Sequence, residues 1–218
     1  MVLLSPQTRN QRYHRTKDQS SKAAYSQADY ARGIRSAVRG FWSGALDYFG
    51  FYDAMYSTIE RGLTLAYHEG AQQCGIATDE LTIDEIKDLR FNILEQVNYL
   101  AGFADDIELN SKKNGGKLAP LLTRAQLWVN RYNSVRNQAQ VSACKDKKLM
   151  WQLGATEQHC RTCFALNGKV KRASVWKRAG VRPQNAPNPL LECEGWKCDC
   201  SYVVTDLPIT RGPLPSLP

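Results

Sequence analysis

Apolar residues recur every three or four positions through the first two-thirds of the chain, the spacing of one face of an α-helix. Four helices are predicted. The first begins near Lys22, runs through Ala37 and ends around Arg39-Gly40-Phe41-Trp42-Ser43-Gly44. The second carries Tyr52, Met55, Ile59, Leu63 and Ala66, with Gly70 and Gly75 marking its end. The third opens on Thr82-Ile83-Asp84-Glu85, a capping box in which the Thr hydroxyl accepts from an orphan N–H and the Glu carboxylate reaches back to the cap. Its apolar stripe is Ile86, Leu89, Ile93, Val97, Leu100 and Ala104. The loop Ser111-Lys112-Lys113-Asn114-Gly115-Gly116-Lys117 leads into a fourth helix built on Leu121, Ala125, Trp128, Tyr132, Val135 and Ala139.

Beyond about Asp146 the pattern changes. Leu149 to Leu153 reads as a strand, and Asn167-Gly168 is a turn signal between Phe164-Ala165-Leu166 and Lys169-Val170, predicting a hairpin across a C-x-x-C. Ser174 to Arg178 fits one short helical turn, Arg182 to Pro189 an irregular loop, and Ser201 to Val204 a final strand. Residues 1–21 are polar, basic and aperiodic, as in a flexible arm. The tail, 207–218, has prolines at 208, 213, 215 and 218 and is expected to lie extended on a neighbouring subunit.

Candidate chemistry concentrates in this last third, where five of the seven cysteines fall: Cys160 and Cys163, then Cys193, Cys198 and Cys200. A C-x-x-C places two thiolates on one ion, and a second cluster 30 positions later can close a tetrahedron around Zn²⁺. The segment looks too short and polar to fold by apolar burial alone, so a structural metal would supply the missing stabilisation. Cys160, Cys163 and Cys198 are the firmest ligands, with Cys193 or Cys200 completing the set and His159 competing for a place. A donor set this rich in thiols argues for a closed structural site rather than a catalytic one. Met1-Val2-Leu3-Leu4-Ser5-Pro6 offers only a brief apolar run, so no secretory signal is expected. With an odd cysteine count, that suits a reducing compartment in which Cys74 and Cys144 are lone buried thiols. The expected fold class is α+β: a helical domain over 22–145, then a small β-rich zinc-binding module over 146–206.

Composition adds less. A hydrophobic fraction of 43% suits a globular chain, and no apolar run approaches the ~20 residues that cross a bilayer, so no membrane partner is expected. The net charge of +8 favours polyanionic neighbours, but it is banded. Basic residues crowd the N-terminal region, acidic ones Ile76 to Glu108, and basic ones again the C-terminal third. The bands can neutralise one another, within the chain or between neighbours, or the last can face nucleic acid through Lys169, Lys171, Arg172, Lys177 and Arg178, with Trp176 interleaved. An enzyme is not expected. The three histidines are His14, His68 and His159, and the sequence has no Gly-rich phosphate loop, serine elbow or H-E-x-x-H. Asp105-Asp106 reads as an acidic helix end, and Glu192 and Glu194 are the best carboxylates for a hydrolytic alternative.

Trp151 followed by Glu157-Gln158-His159-Cys160-Arg161-Thr162-Cys163-Phe164-Ala165-Leu166-Asn167-Gly168-Lys169-Val170 resembles the signature of the phage head morphogenesis family, the Mu F-like minor head proteins. Cys198-Asp199-Cys200 and Thr205-Asp206-Leu207-Pro208 resemble its closing C-x-C and exit. The resemblance is specific over about fifty residues and general elsewhere. It departs where many members carry Pro-Pro-x-His before the last C-x-C; here stands Leu191-Glu192-Cys193-Glu194-Gly195-Trp196, so Cys193 would replace a histidine ligand at a longer spacing. The resemblance implies a structural minor head protein of a tailed bacteriophage or prophage. Such a protein would contact the portal and major capsid proteins, and packaged DNA through its backbone. It would reside in the virion head and, during assembly, in the host cytoplasm. The alternative is a zinc-containing DNA-binding or nuclease-like DNA-processing protein.

Overall fold

The computed structural model describes residues 25–144, 147–155, 158–196 and 198–217; the arm reading over 1–21 lies outside them. Five helices come first: α1 (Gln27–Ser43), α2 (Tyr48–Gln72), α3 (Ile83–Val97), α4 (Leu100–Leu109) and α5 (Leu118–Ala143). Then follow β1 (Lys148–Gln152), α6 (Arg161–Leu166), β2 (Val170–Arg172), α7 (Ala173–Ala179) and β3 (Ser201–Val204). The class is α+β, mostly helical with one small sheet.

Caps fix the helix starts. Ser26 and Asp29 form a capping box at α1, where the Ser26 N–H donates to the carboxylate at 3.0 Å. The predicted box at α3 is present, with the Thr82 N–H donating to Glu85 at 2.7 Å. The long helices α2 and α5 pack against each other and α1 over a core that includes Tyr30, Ile34, Phe51, Met55, Leu63, Phe103, Trp128 and Tyr132. The Tyr30 hydroxyl donates to the Trp128 carbonyl at 2.8 Å, satisfying a phenol buried in that core. Gly70 lies inside α2 and does not end it. A Cβ there would sit 2.2 Å from the Arg136 carbonyl, so the α2–α5 crossing needs a bare backbone.

The predicted third helix is two. Trp128 explains the break: its indole N–H donates to the Gln96 carbonyl at 3.3 Å, as does the Tyr99 N–H at 3.4 Å. That carbonyl would otherwise carry the ladder into Leu100. α3 turns Leu89 and Ile93 into the core, with polar residues beside them. It buries Glu85, Asn92 and Gln96 and exposes Ile83, Phe91 and Leu94, and Ile86, read as core, is exposed. The acidic band is partly neutralised within the chain, Glu95 and Asp106 pairing with Arg131 and Arg124 of α5.

The C-terminal module is an antiparallel sheet in the order β2-β1-β3. Trp151, Trp176 and Tyr202 form its aromatic centre, with ring centroids 5.4–5.9 Å apart. The predicted hairpin across the C-x-x-C is absent, because Arg161–Leu166 is helical and β2 pairs with β1. β3 is an edge strand docked on α5: Asn137 accepts the Tyr202 N–H and Gln140 donates to the Tyr202 carbonyl, both at 3.3 Å. The other edge is covered by the tail. The Thr210 N–H donates to the Val170 carbonyl at 3.0 Å, and Leu214 and Leu217 pack on the module's core. So the tail lies along the sheet of its own chain. Cys74 and Cys144 are not lone thiols; they form a disulfide with Cα atoms 5.3 Å apart, joining the ends of α2 and α5.

Two outcomes follow from this packing. At Gly62 a Cβ would fall 2.1 Å from the Tyr30 ring, whereas at Gly102 none lies within 4 Å. Urea unfolding should show Gly62→Ala destabilised by about 1–3 kcal/mol or more and Gly102→Ala stabilised by about 0.5–1 kcal/mol. The disulfide spans 70 residues, so reduction should cost up to about 4 kcal/mol. A Cys74→Ala, Cys144→Ala variant should unfold identically with and without reductant.

Candidate metal centre

The start of α6 sets the C-x-x-C. Cys160 is the N-cap in extended conformation, and its sulfur accepts the Cys163 N–H at 3.4 Å, which turns both thiols to one side. Cys193 arrives on the turn 191–196, where Glu194 and Gly195 both have positive φ. A Cβ on Gly195 would fall 2.7 Å from the Asn185 carbonyl, so the turn requires glycine. Glu192 ties this turn to α6: its carboxylate accepts the Arg161 N–H at 2.7 Å, and its own N–H donates to the Thr162 hydroxyl at 3.1 Å. Cys198 and Cys200 stand at the entry to β3, where the Gln184 side chain donates to the Cys200 carbonyl at 2.9 Å.

These segments bring all five cysteines together. The sulfurs of Cys160, Cys163 and Cys193 lie within 4.8 Å of one another, as do those of Cys163, Cys198 and Cys200. A third group joins His159, Asp199 and Cys200. Cys160, Cys163, Cys193 and Cys198 line an open hollow of about 450 Å³ with Gln158, His159, Arg161 and Glu192, while Cys200 is buried. The thiols polarise one another. Hydrogen bonds to Cys198 and Cys200 push Cys163 up, and hydrogen bonds from Cys163 and Cys198 bring Cys200 down to about 4. Burial raises Cys193 to about 11.

The cluster could hold a metal ion, and one of its sulfur pairs has the spacing of two ligands on zinc. Zn–S bonds of about 2.3 Å place sulfurs about 3.8 Å apart around a tetrahedron, and Cys163 and Cys198 are 3.8 Å apart. Cys160, Cys163, Cys193 and Cys198 are the four that share the hollow; Cys200, like Cys163, is buried.

The other predicted site residues separate. Arg172, Lys177 and Arg178 are exposed and Lys169 half-buried. Lys171 is not available to a phosphate: it is buried, and its ammonium donates to the carbonyls of Thr210 at 2.8 Å and Gly212 at 2.5 Å. Trp176 is fully buried and donates to the Leu149 carbonyl at 3.0 Å, so it offers no ring to a base. Among the weighed catalytic groups, His14 lies outside the described residues. His68 is partly buried, which lowers its pKa, Asp106 is paired with Arg124, and Glu194 accepts the Trp196 indole N–H at 3.3 Å. Asp199 is the candidate donor that spacing alone did not single out, although it stands inside the C-x-C. In comparison with known proteins, no family model, no curated protein and no solved structure matches the chain.

Proposed function

We propose that this chain is a structural minor head protein of a tailed bacteriophage or prophage, with a C-terminal module closed by a structural Zn²⁺. One observation carries the reading. Cysteines from three separated segments converge on the start of α6, and they belong to the same run of residues that resembles the head morphogenesis signature. Cys160, Cys163, Cys193 and Cys198 would hold the ion, and Zn²⁺ there would serve as a cross-link, not as a catalyst. The cross-link matters most between Gly180 and Cys200, where no helix or strand forms among the described residues and local order rests on turns. The partners are the portal and major capsid proteins and, through its phosphates, packaged DNA. The locations are the virion head and, during assembly, the host cytoplasm.

Elemental analysis of protein purified under reducing conditions tests the zinc. Bound zinc should be lost in a Cys160→Ser, Cys163→Ser variant, with protease cleavage appearing between 180 and 200; wild-type protein without metal would sink the reading. Particles purified from the host should contain the chain at low copy, and its absence from them would remove the head assignment. Binding to duplex DNA should be sequence-independent and fall steeply with salt. An Arg172→Ala, Lys177→Ala, Arg178→Ala variant should reduce the slope of log K against log salt by up to about 3, while Lys171→Met should leave that slope unchanged. A salt-resistant preference for one sequence would favour the zinc-containing DNA-binding alternative.

A further inference from the structure

Four sulfurs share one opening. Cys160, Cys163, Cys193 and Cys198 line the hollow beside α6, and Cys200 is not part of its wall. The four divide into two neighbouring pairs. The Cys163 and Cys198 sulfurs are 3.8 Å apart. That leaves Cys160 and Cys193, whose sulfurs lie within 4.8 Å of each other and share a hydrogen bond. Bonded sulfurs sit about 2.05 Å apart, so each pair has less than about 3 Å to close. Each pair also joins separate segments. Cys163 on α6 faces Cys198 at the entry to β3, and Cys160 at the N-cap of α6 faces Cys193 on the turn 191–196. The neighbours of the second pair are already fastened: Glu192, beside Cys193, accepts the Arg161 N–H at 2.7 Å and donates to the Thr162 hydroxyl at 3.1 Å. This chain holds one oxidised pair elsewhere, Cys74–Cys144.

We propose that the hollow is a site of oxidative modification, where a hydroperoxide converts its four thiols into two disulfides, Cys163–Cys198 and Cys160–Cys193, and leaves Cys200 as the free thiol. The half-buried sulfurs of Cys160, Cys193 and Cys198 are open to a small oxidant from solvent. A thiolate sulfur attacks one peroxide oxygen; an S–O bond forms, the O–O bond breaks and hydroxide leaves. The neighbouring thiolate then attacks that sulfur, forming the S–S bond and displacing a second hydroxide. Each disulfide consumes one peroxide, the two sulfurs giving up two electrons and the two oxygens taking them. Cys198 and Cys200 flank a single residue, and a disulfide over so short a loop departs from ordinary geometry, so Cys200 stays out of the pairing. The proposal goes beyond the zinc reading. Thiolates bind metal and disulfide sulfurs do not, so oxidation would release zinc held by these four residues. The new bonds would tie α6 to the same two segments, and the irregular stretch before β3 would stay fastened without an ion.

Peptide mapping of the full wild-type chain after hydrogen peroxide treatment tests the pairing. Trypsin parts Cys160 from Cys163 at Arg161 and Cys193 from Cys198 at Lys197, and a protease that cuts before aspartate parts Cys198 from Cys200 at Asp199. Mass spectrometry should find Cys160 linked to Cys193 and Cys163 linked to Cys198. Thiols titrated in denaturant should fall from five per chain to one, and the stretch 180–200 should resist protease in the presence of a chelator. A Cys160–Cys163 or Cys198–Cys200 link, bonds between chains, sulfinic acids in place of disulfides, or five thiols still free would each overturn the proposal. Zinc measured before and after treatment keeps the two readings apart. The expected pairs in protein that never held zinc would uphold the modification and sink the structural ion. Bound zinc with any other pairing would do the reverse.

Discussion

A single helix holds this molecule together. α5 runs for 26 residues. Its first five turns supply Leu121, Ala125, Trp128, Tyr132 and Val135 to the helical core, and its last turn supplies Val141 to the core beneath the sheet. Between them, Asn137 and Gln140 turn amides toward the backbone of Tyr202, so the open edge of β3 meets fixed partners in place of water. Both amides are buried, where an unpartnered polar group would cost about 1–3 kcal/mol. The two parts of the chain are thus positioned by hydrogen bonds as well as by apolar contact.

Within the module two kinds of order coexist. The sheet and α7 are held by Trp151, Trp176 and Tyr202, a small core that also takes in Cys163 and Cys200. The segment between α7 and β3 has little of this: it is a succession of turns, with positive φ at Gln184, Glu194 and Gly195. Its cysteines point back to α6, so a metal there would tie the least regular part of the fold to a well-packed one. Burial thus does more in this module than its polar composition implied.

Periodicity revealed what local rules decide. The helical stripes, the Thr82 capping box, β1, α7, β3 and the gathering of the C-x-x-C with the later cysteines were all readable, because spacing and capping chemistry act over a few residues. What escaped depended on distant partners. Nothing near Gln96 says that the Trp128 indole will take its carbonyl and divide a helix. Gly70 looks like a terminator until the Arg136 carbonyl is set against it. Lys171 reads as a basic surface residue, and only the return of the tail past β2 encloses its ammonium. The run Phe164-Ala165-Leu166 suits a strand by composition, but Cys160 caps it as a helix, and that choice aligns the two thiols.

The Cys74–Cys144 bond closes α2 to α5 at the point where the chain leaves the helices for β1. A pull on the sheet would otherwise peel α5 away from its C-terminal end, one turn at a time. With the bond in place the load divides between the ends of the two longest helices, which must shear past each other along their full contact. The junction is thereby a mechanical clamp, and its strength is set by the redox state of one pair of sulfurs.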